Sequence, residues 1–204
     1  MVLEKLRSAE RVHAWGLGCV VMALLAFLLG PTLFAKSSPK VDFSSQSTAR
    51  ILEISSQSFQ TNEMRVAKLF GDGRLEVSDF DLQDLAHAKH QFHWQLTPEV
   101  LEAVEEEIAT AELHLFSEAA GKAKERATGR AMPSVDDAGP VRFKISWLEV
   151  GEGNSKTAKR TEFGLMYGGA ESKIYPEIPE YAAAQRLIMR LLLVSDTECR
   201  GCQQ

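Results

Sequence analysis

The stretch HAKHQFHW, residues 87–94, holds three of the chain's five histidines at a spacing of three. Neutral imidazole nitrogens bind zinc and copper, so His87, His90 and His93 are the metal candidates of this sequence, with Asp84 or His114 able to complete a site. On a helix over 80–90, His87 and His90 share a face and His93 falls about 60° further round. On a strand over 91–96, His93 faces away from Phe92 and Trp94. The alternative is a solvated junction between a hairpin and a helix. Spacing alone does not make ligands converge, and no cofactor is expected.

Two further stretches have a chemical look. Cys199 and Cys202 form CRGC, a disulfide or redox candidate. A reactive CxxC stands at a helix N-terminus, where the dipole lowers a thiol pKa; this one follows an expected helix C-terminus, where the dipole disfavours thiolate. A local disulfide or a plain tail is therefore the expectation. GDGRLEVSDF, 71–80, matches the second half of a calcium loop, with Asp72, Gly73, Leu75 and Asp79 in place. Its first half then puts Lys68 and Phe70 where oxygen ligands belong, and a hairpin turn explains Gly-Asp-Gly without an ion. Asp79, Asp81 and Asp84 precede the histidines as an acidic cluster. No phosphate-binding glycine loop, nucleophile elbow, HExxH or kinase signature occurs, and the chain is read as a non-enzyme.

The elements that must position these residues follow from periodicity. RILEISS (50–56) is a β-type run, and MRVAKLF (64–70) and RLEV (74–77) flank the Gly-Asp-Gly turn as a hairpin. QFHWQL (91–96) is a possible further strand. Thr97, Pro98 and Glu99 open a helix expected over 98–116, with Leu101, Val104, Ile108, Ala111 and Leu115 as its apolar stripe. Residues 117–140 lack large apolar side chains and suggest a frayed helical extension followed by a mobile loop. VRFKISWLEV (141–150) alternates as a half-buried strand, GEGNS turns, and KRTEFGLMY (159–167) returns antiparallel. A closing helix from Pro179 aims Leu187, Ile188, Leu191 and Val194 at the core. The fold class is α+β: two antiparallel hairpins packed with two amphipathic helices.

Ahead of this body, Ala14 to Ala35 contains no charged residue. As a helix, 22 residues rise about 33 Å, enough for a bilayer core. The expectation is a 1–13 tail, a 14–35 transmembrane signal anchor, a polar tether over 36–49, a soluble domain over 50–195 and a 196–204 tail with the CxxC. Trp15 suits the interface, and Leu24, Leu25, Phe27, Leu28 and Leu29 face lipid. A cleaved signal peptide is the alternative, but its best site, after Leu33-Phe34-Ala35, has a bulky Leu where a small residue is preferred. GLGC at 16–19 lacks the preceding apolar run that lipidation of Cys19 needs. The N-terminus is expected in the cytoplasm and the domain in the periplasm.

The net charge of -5 is uneven. The first forty residues carry five cations and two anions, leaving -8 for the rest. An acidic body lacks the basic footprint that nucleic-acid binding requires.

The run from ILEISS through MRVAKLFGDGRLEV to WQLTPEVLEAVEEEIATAELHLF resembles a small family of bacterial periplasmic or lipoprotein α+β domains of unknown function. Their shared pattern is an extended segment, a "dGr" hairpin turn and an amphipathic helix. The resemblance implies a fold and a location but no activity, and the family's early Cys-Pro-x-Tyr pattern is replaced here by SQSFQTNEM. The expected function is a single-pass accessory or assembly subunit of an integral membrane protein complex. The alternatives are a membrane-tethered metal or dithiol protein and an envelope-polymer binding module.

Overall fold

A computed structural model describes residues 40–43, 48–130, 139–193 and 202–203. The segment expected to anchor the chain, with Trp15, Leu24, Leu25, Phe27, Leu28 and Leu29, lies outside them, as do Cys199 and Val194. Among the described residues no helix is long and apolar enough to cross a membrane.

The described body is α+β, built on one antiparallel sheet. Four strands form a meander: β2 (Arg50–Ser58), β3 (Glu63–Phe70), β4 (Arg74–Asp81) and β5 (Asp84–Leu96). Two helices, α1 (Pro98–Thr110) and α2 (Glu118–Thr128), then carry the chain back to β6 (Val141–Val150), which pairs with β2 from the side opposite β3. Strand β7 (Lys156–Leu165) completes a hairpin with β6. The short β1 (Lys40–Asp42) pairs with the end of β6, from Leu148 to Val150. Helices α3 (Glu171–Ile174) and α4 (Pro179–Leu187) follow, α4 running into a π-helical turn, Ile188–Leu192. Finally β8 (Cys202–Gln203) adds to the outer side of β5.

Alternation builds the two faces of the sheet. By cross-strand register, Leu52, Ile54, Ala67, Leu69, Leu75, Val77, Phe143, Ile145, Phe163 and Leu165 share one face. The helices and the turn between the first two cover it with Val104, Ile108, Leu113, Phe116, Tyr181, Leu187, Ile188 and Leu191, all buried. Each fully buried large side chain contributes about 1.5–3 kcal/mol. Phe143 and Phe163 stack with centroids 4.9 Å apart, and Phe116 meets Phe163 edge-on at 5.1 Å. Gly121 in α2 packs closely on the core: a Cβ there would stand 2.7 Å from the Tyr181 hydroxyl and 2.9 Å from Phe116.

The structure differs from the sequence expectation at four places. The helix expected over 98–116 ends at Thr110, because Glu112 turns left-handed with φ 52°. That break lets Leu113, His114 and Phe116 all be buried, while Leu115, expected on the apolar stripe, is exposed. The segment after 117 is a separate capped helix rather than a frayed extension. The Ser117 hydroxyl accepts the Ala120 N–H at 3.2 Å, and Gly129 closes α2 in the left-handed region. The third difference is in the number of helices: among the described residues four stand where the body was expected to hold two. The Thr97 cap is also altered. Its side chain makes no cap hydrogen bond to the helix backbone and instead helps hold the Glu99 carboxylate, whose own N–H and the Thr97 hydroxyl lower its pKa.

Candidate functional site

The histidine-rich segment is neither a helix nor a loop. It is the outer half of β5, a 13-residue strand at one edge of the meander. Asp81 shapes the turn into it, its Oδ1 accepting from the Gln83 N–H at 2.9 Å and from the Asn62 amide at 2.8 Å. Lys89 ties the arm to its neighbours, reaching Glu63 at 3.2 Å and Asp81 at 3.4 Å. The hydrogen bonds and charges of Asp81 and Glu63 hold the Lys89 ammonium above the ordinary lysine range.

Strand geometry disperses the three imidazoles. His87 is exposed near the turn, its Nδ1 3.1 Å from Asp84 Oδ1. His90 lies opposite Asp79 on the face the helices cover, stacked on Phe92 with centroids 6.3 Å apart. His93 lies opposite Glu76 on the other face. Among the described residues no group of three or more His, Cys, Asp or Glu side chains is placed to hold a metal ion. His114 is elsewhere, buried in the α1–α2 junction and edge-on to Trp147 at 5.3 Å.

The calcium-like stretch is a hairpin. Leu75 is core, the Asp72 carboxylate accepts the Arg74 N–H at 3.0 Å, and Asp79 is taken by Arg65 in a bidentate pair at 2.6 and 2.8 Å. Of the CRGC pair only the backbone of Cys202 is described, paired with Leu96 in β8.

Sequence reasoning missed the arrangement of the second face of the sheet. In one row, by register, stand Glu162, Lys144, Glu53, Lys68, Glu76 and His93, one from each of β7, β6, β2, β3, β4 and β5. Charge alternates along it, and opposite charges paired across strands contribute roughly 0.2–1 kcal/mol each. Glu53 is the buried member, 8% exposed, with Lys144 Nζ at 2.7 Å and Arg50 as a second partner. Burial pushes its pKa up, but the Lys144 hydrogen bond and the charges of Arg50, Lys144 and Lys68 outweigh that and hold it below the ordinary carboxylate range. Nothing local in the sequence marks this row, since Glu53 and Lys144 are 91 positions apart.

Two more polar clusters were not legible. Between β1 and α1 lies a hollow of about 500 Å³ lined by Asp42, Glu102, Glu105 and Glu106 beside Val41 and Phe43. Burial, then the charges of Asp42 and Glu102, raise the Glu105 pKa. Under α2, the Tyr181 hydroxyl donates to Glu125 at 2.6 Å, and burial with that bond raises its pKa. Nearby, the buried Glu171 carboxylate takes the Tyr167 and Gly169 N–H groups at 2.8 and 3.1 Å, pinning the Tyr167-Gly168-Gly169 turn in front of α3. The hollow beside these groups, about 20 Å³, has room for about one water. These carboxylates are committed to structure.

The other unusual feature of this region is the outer half of β5. It carries a stacked aromatic stripe, His90–Phe92–Trp94, with Phe92 and Trp94 centroids 5.7 Å apart and both rings half-buried. Comparison with protein-family models, curated proteins and solved structures finds no match.

Proposed function

We propose that this chain is a non-enzymatic, single-pass membrane protein that serves as an accessory or assembly subunit of an integral membrane protein complex. The observation that carries the reading is the uncharged apolar run from Ala14 to Ala35, ahead of an α+β body. A run of that length and composition is a membrane span by the bilayer-thickness criterion. A short N-terminal tail stays in the cytoplasm and the body lies on the other side, in a periplasm if the cell has one. The long strand β5, which among the described residues meets β8 only at Gln95 and Leu96 on its outer side, supports the binding role, because unpaired strand edges are templates for association.

Alkaline extraction tests the anchor. The full-length chain stays in the membrane pellet, and a version lacking residues 1–36 moves to the soluble fraction. Full-length chain released by alkaline carbonate contradicts the reading.

A further inference from the structure

We infer that the charged face of the sheet, opposite the helices, is the contact surface for a second copy of this chain, the two sheets lying face to face about a two-fold axis that runs along the strands between β2 and β3. The argument from the anchors rests on the reading of this chain as a membrane protein; the argument from charge stands without it.

Charge complementarity carries it. From β7 to β5 the central row reads Glu162, Lys144, Glu53, Lys68, Glu76 and His93, with three strands on either side of the β2–β3 boundary. Read backwards, the row has a lysine or an imidazole wherever it had a carboxylate. A two-fold axis along the strands performs that reversal. Glu53 of each copy then meets Lys68 of the other, Lys144 meets Glu76, and Glu162 meets His93. Stacked sheets stand about 10 Å apart, a gap that a lysine and a glutamate side chain span together. The neighbouring levels agree. On one side of the row Arg142 comes over Ser78; on the other Arg160 comes over Gln95 and Ser146 over Arg74, so none of these cations meets another.

The other two-fold stacking of the sheets, with its axis along the charged row, sets each residue over itself, Glu53 on Glu53 and Lys68 on Lys68, which like-charge repulsion opposes. It also sends the two β1 strands to opposite ends. The axis along the strands keeps strand direction. Lys40, where β1 begins opposite Val150 at the far end of β6, therefore stands at the same end of both copies, as two chains anchored in one membrane require. The face is within reach of a partner, since Lys144, Lys68 and Glu76 are half-buried and Arg142, Glu162 and His93 are exposed. Its extent is adequate as well. Six strands at a spacing of about 4.8 Å, overlapping for about seven residues of roughly 3.3 Å each, make a face of roughly 29 by 23 Å. Two copies so paired cover roughly 1,300 Å² together, within the range of specific interfaces.

The test follows the protein mass of the purified full-length chain by sedimentation in mild detergent over a range of concentrations. A reversible dimer is expected, weakened by added salt, which screens exposed charges. Glu76→Lys sets a cation over Lys144 of the second copy and should raise the dissociation constant at least about tenfold, because like charges across an interface oppose association. Lys144→Glu should do the same from the other side. Mixed together, the two variants should regain a dimer of near wild-type affinity, because positions 76 and 144 then attract in one contact and are unchanged in the other. Circular dichroism checks that each variant is folded; if Lys144→Glu is not, Glu76→Lys and the salt series decide. A chain that stays monomeric at every concentration overturns the proposal. So does a dimer indifferent to Glu76→Lys and to salt, and so do folded variants that fail to pair when mixed. Because the dimer is measured on the chain alone, it stands or falls whatever other proteins the native particle contains.

Discussion

His90 and His93 stand on opposite faces of one strand, His90 across from Asp79 on the helix-covered side and His93 across from Glu76 on the other. With an odd separation on one strand, no rotamer change brings their rings to a common ion. Zinc or copper titrated into the purified chain is therefore expected to show no stoichiometric site that depends on both His90 and His93. A one-to-one site lost in each of His90→Ala and His93→Ala reverses that conclusion.

The Glu53–Lys144 pair joins β2 to β6 on the charged face. Lys144→Ala leaves a buried carboxylate short of a partner and should cost about 1–3 kcal/mol. The pH dependence has a definite sign. Because the Glu53 pKa is lowered on folding, its contribution is complete above the ordinary carboxylate range and is lost as pH falls through the folded value. Urea denaturation of wild type and Glu53→Gln should differ most near neutrality and converge in strong acid. Equal stability of the two proteins at pH 7 contradicts this account.

His114 acts at milder pH. Its Nε2 is buried with no hydrogen-bond partner among the described residues, and burial, outweighing the Ile108 carbonyl and the Glu112 charge, lowers its pKa. The unfolded chain therefore binds the proton more readily, and stability declines as pH drops below about 6.5, the free imidazole value. Thermal melts at pH 7.5 and 5.5 should show a fall in Tm that His114→Gln reduces. An unchanged pH response in that variant rules out His114 as its source.

Gly121 marks a close contact between α2 and the core. A Cβ at 2.7 Å from the Tyr181 hydroxyl forces α2 or Tyr181 to move, and overpacking of this kind costs typically 1–3 kcal/mol. Gly121→Ala should be destabilised despite alanine's better helix propensity. Tyr181→Phe in the same chain should recover only part of the loss, because Phe116 still stands 2.9 Å away. Gly121→Ala as stable as wild type sinks the packing argument.

The sheet was largely readable because its inner strands alternate. In β6, Val141, Phe143, Ile145 and Trp147 are buried on one side, as period two demands. Gly71-Asp72-Gly73 announced the β3–β4 turn for the same local reason. The outer half of β5 was not readable, because from Asp84 to Gln91 every residue but Ala88 is exposed on one face or the other and HAKHQ shows no apolar alternation. Nor was the end of α1, since the Glu112 left-handed turn follows from the need to bury Leu113 and Phe116 together. The charged row and the acidic hollow depend on pairings between distant segments, such as β2 with β6 and β1 with β6. No single window of sequence contains them.

We propose that this chain works as a bound subunit in a membrane. The most direct test is the mass of the native particle, measured after mild-detergent solubilisation of the membranes in which the full-length protein is expressed at its natural level. The account predicts one species heavier than the chain and its micelle, containing an integral membrane protein in fixed stoichiometry. A monodisperse particle holding this chain alone contradicts it.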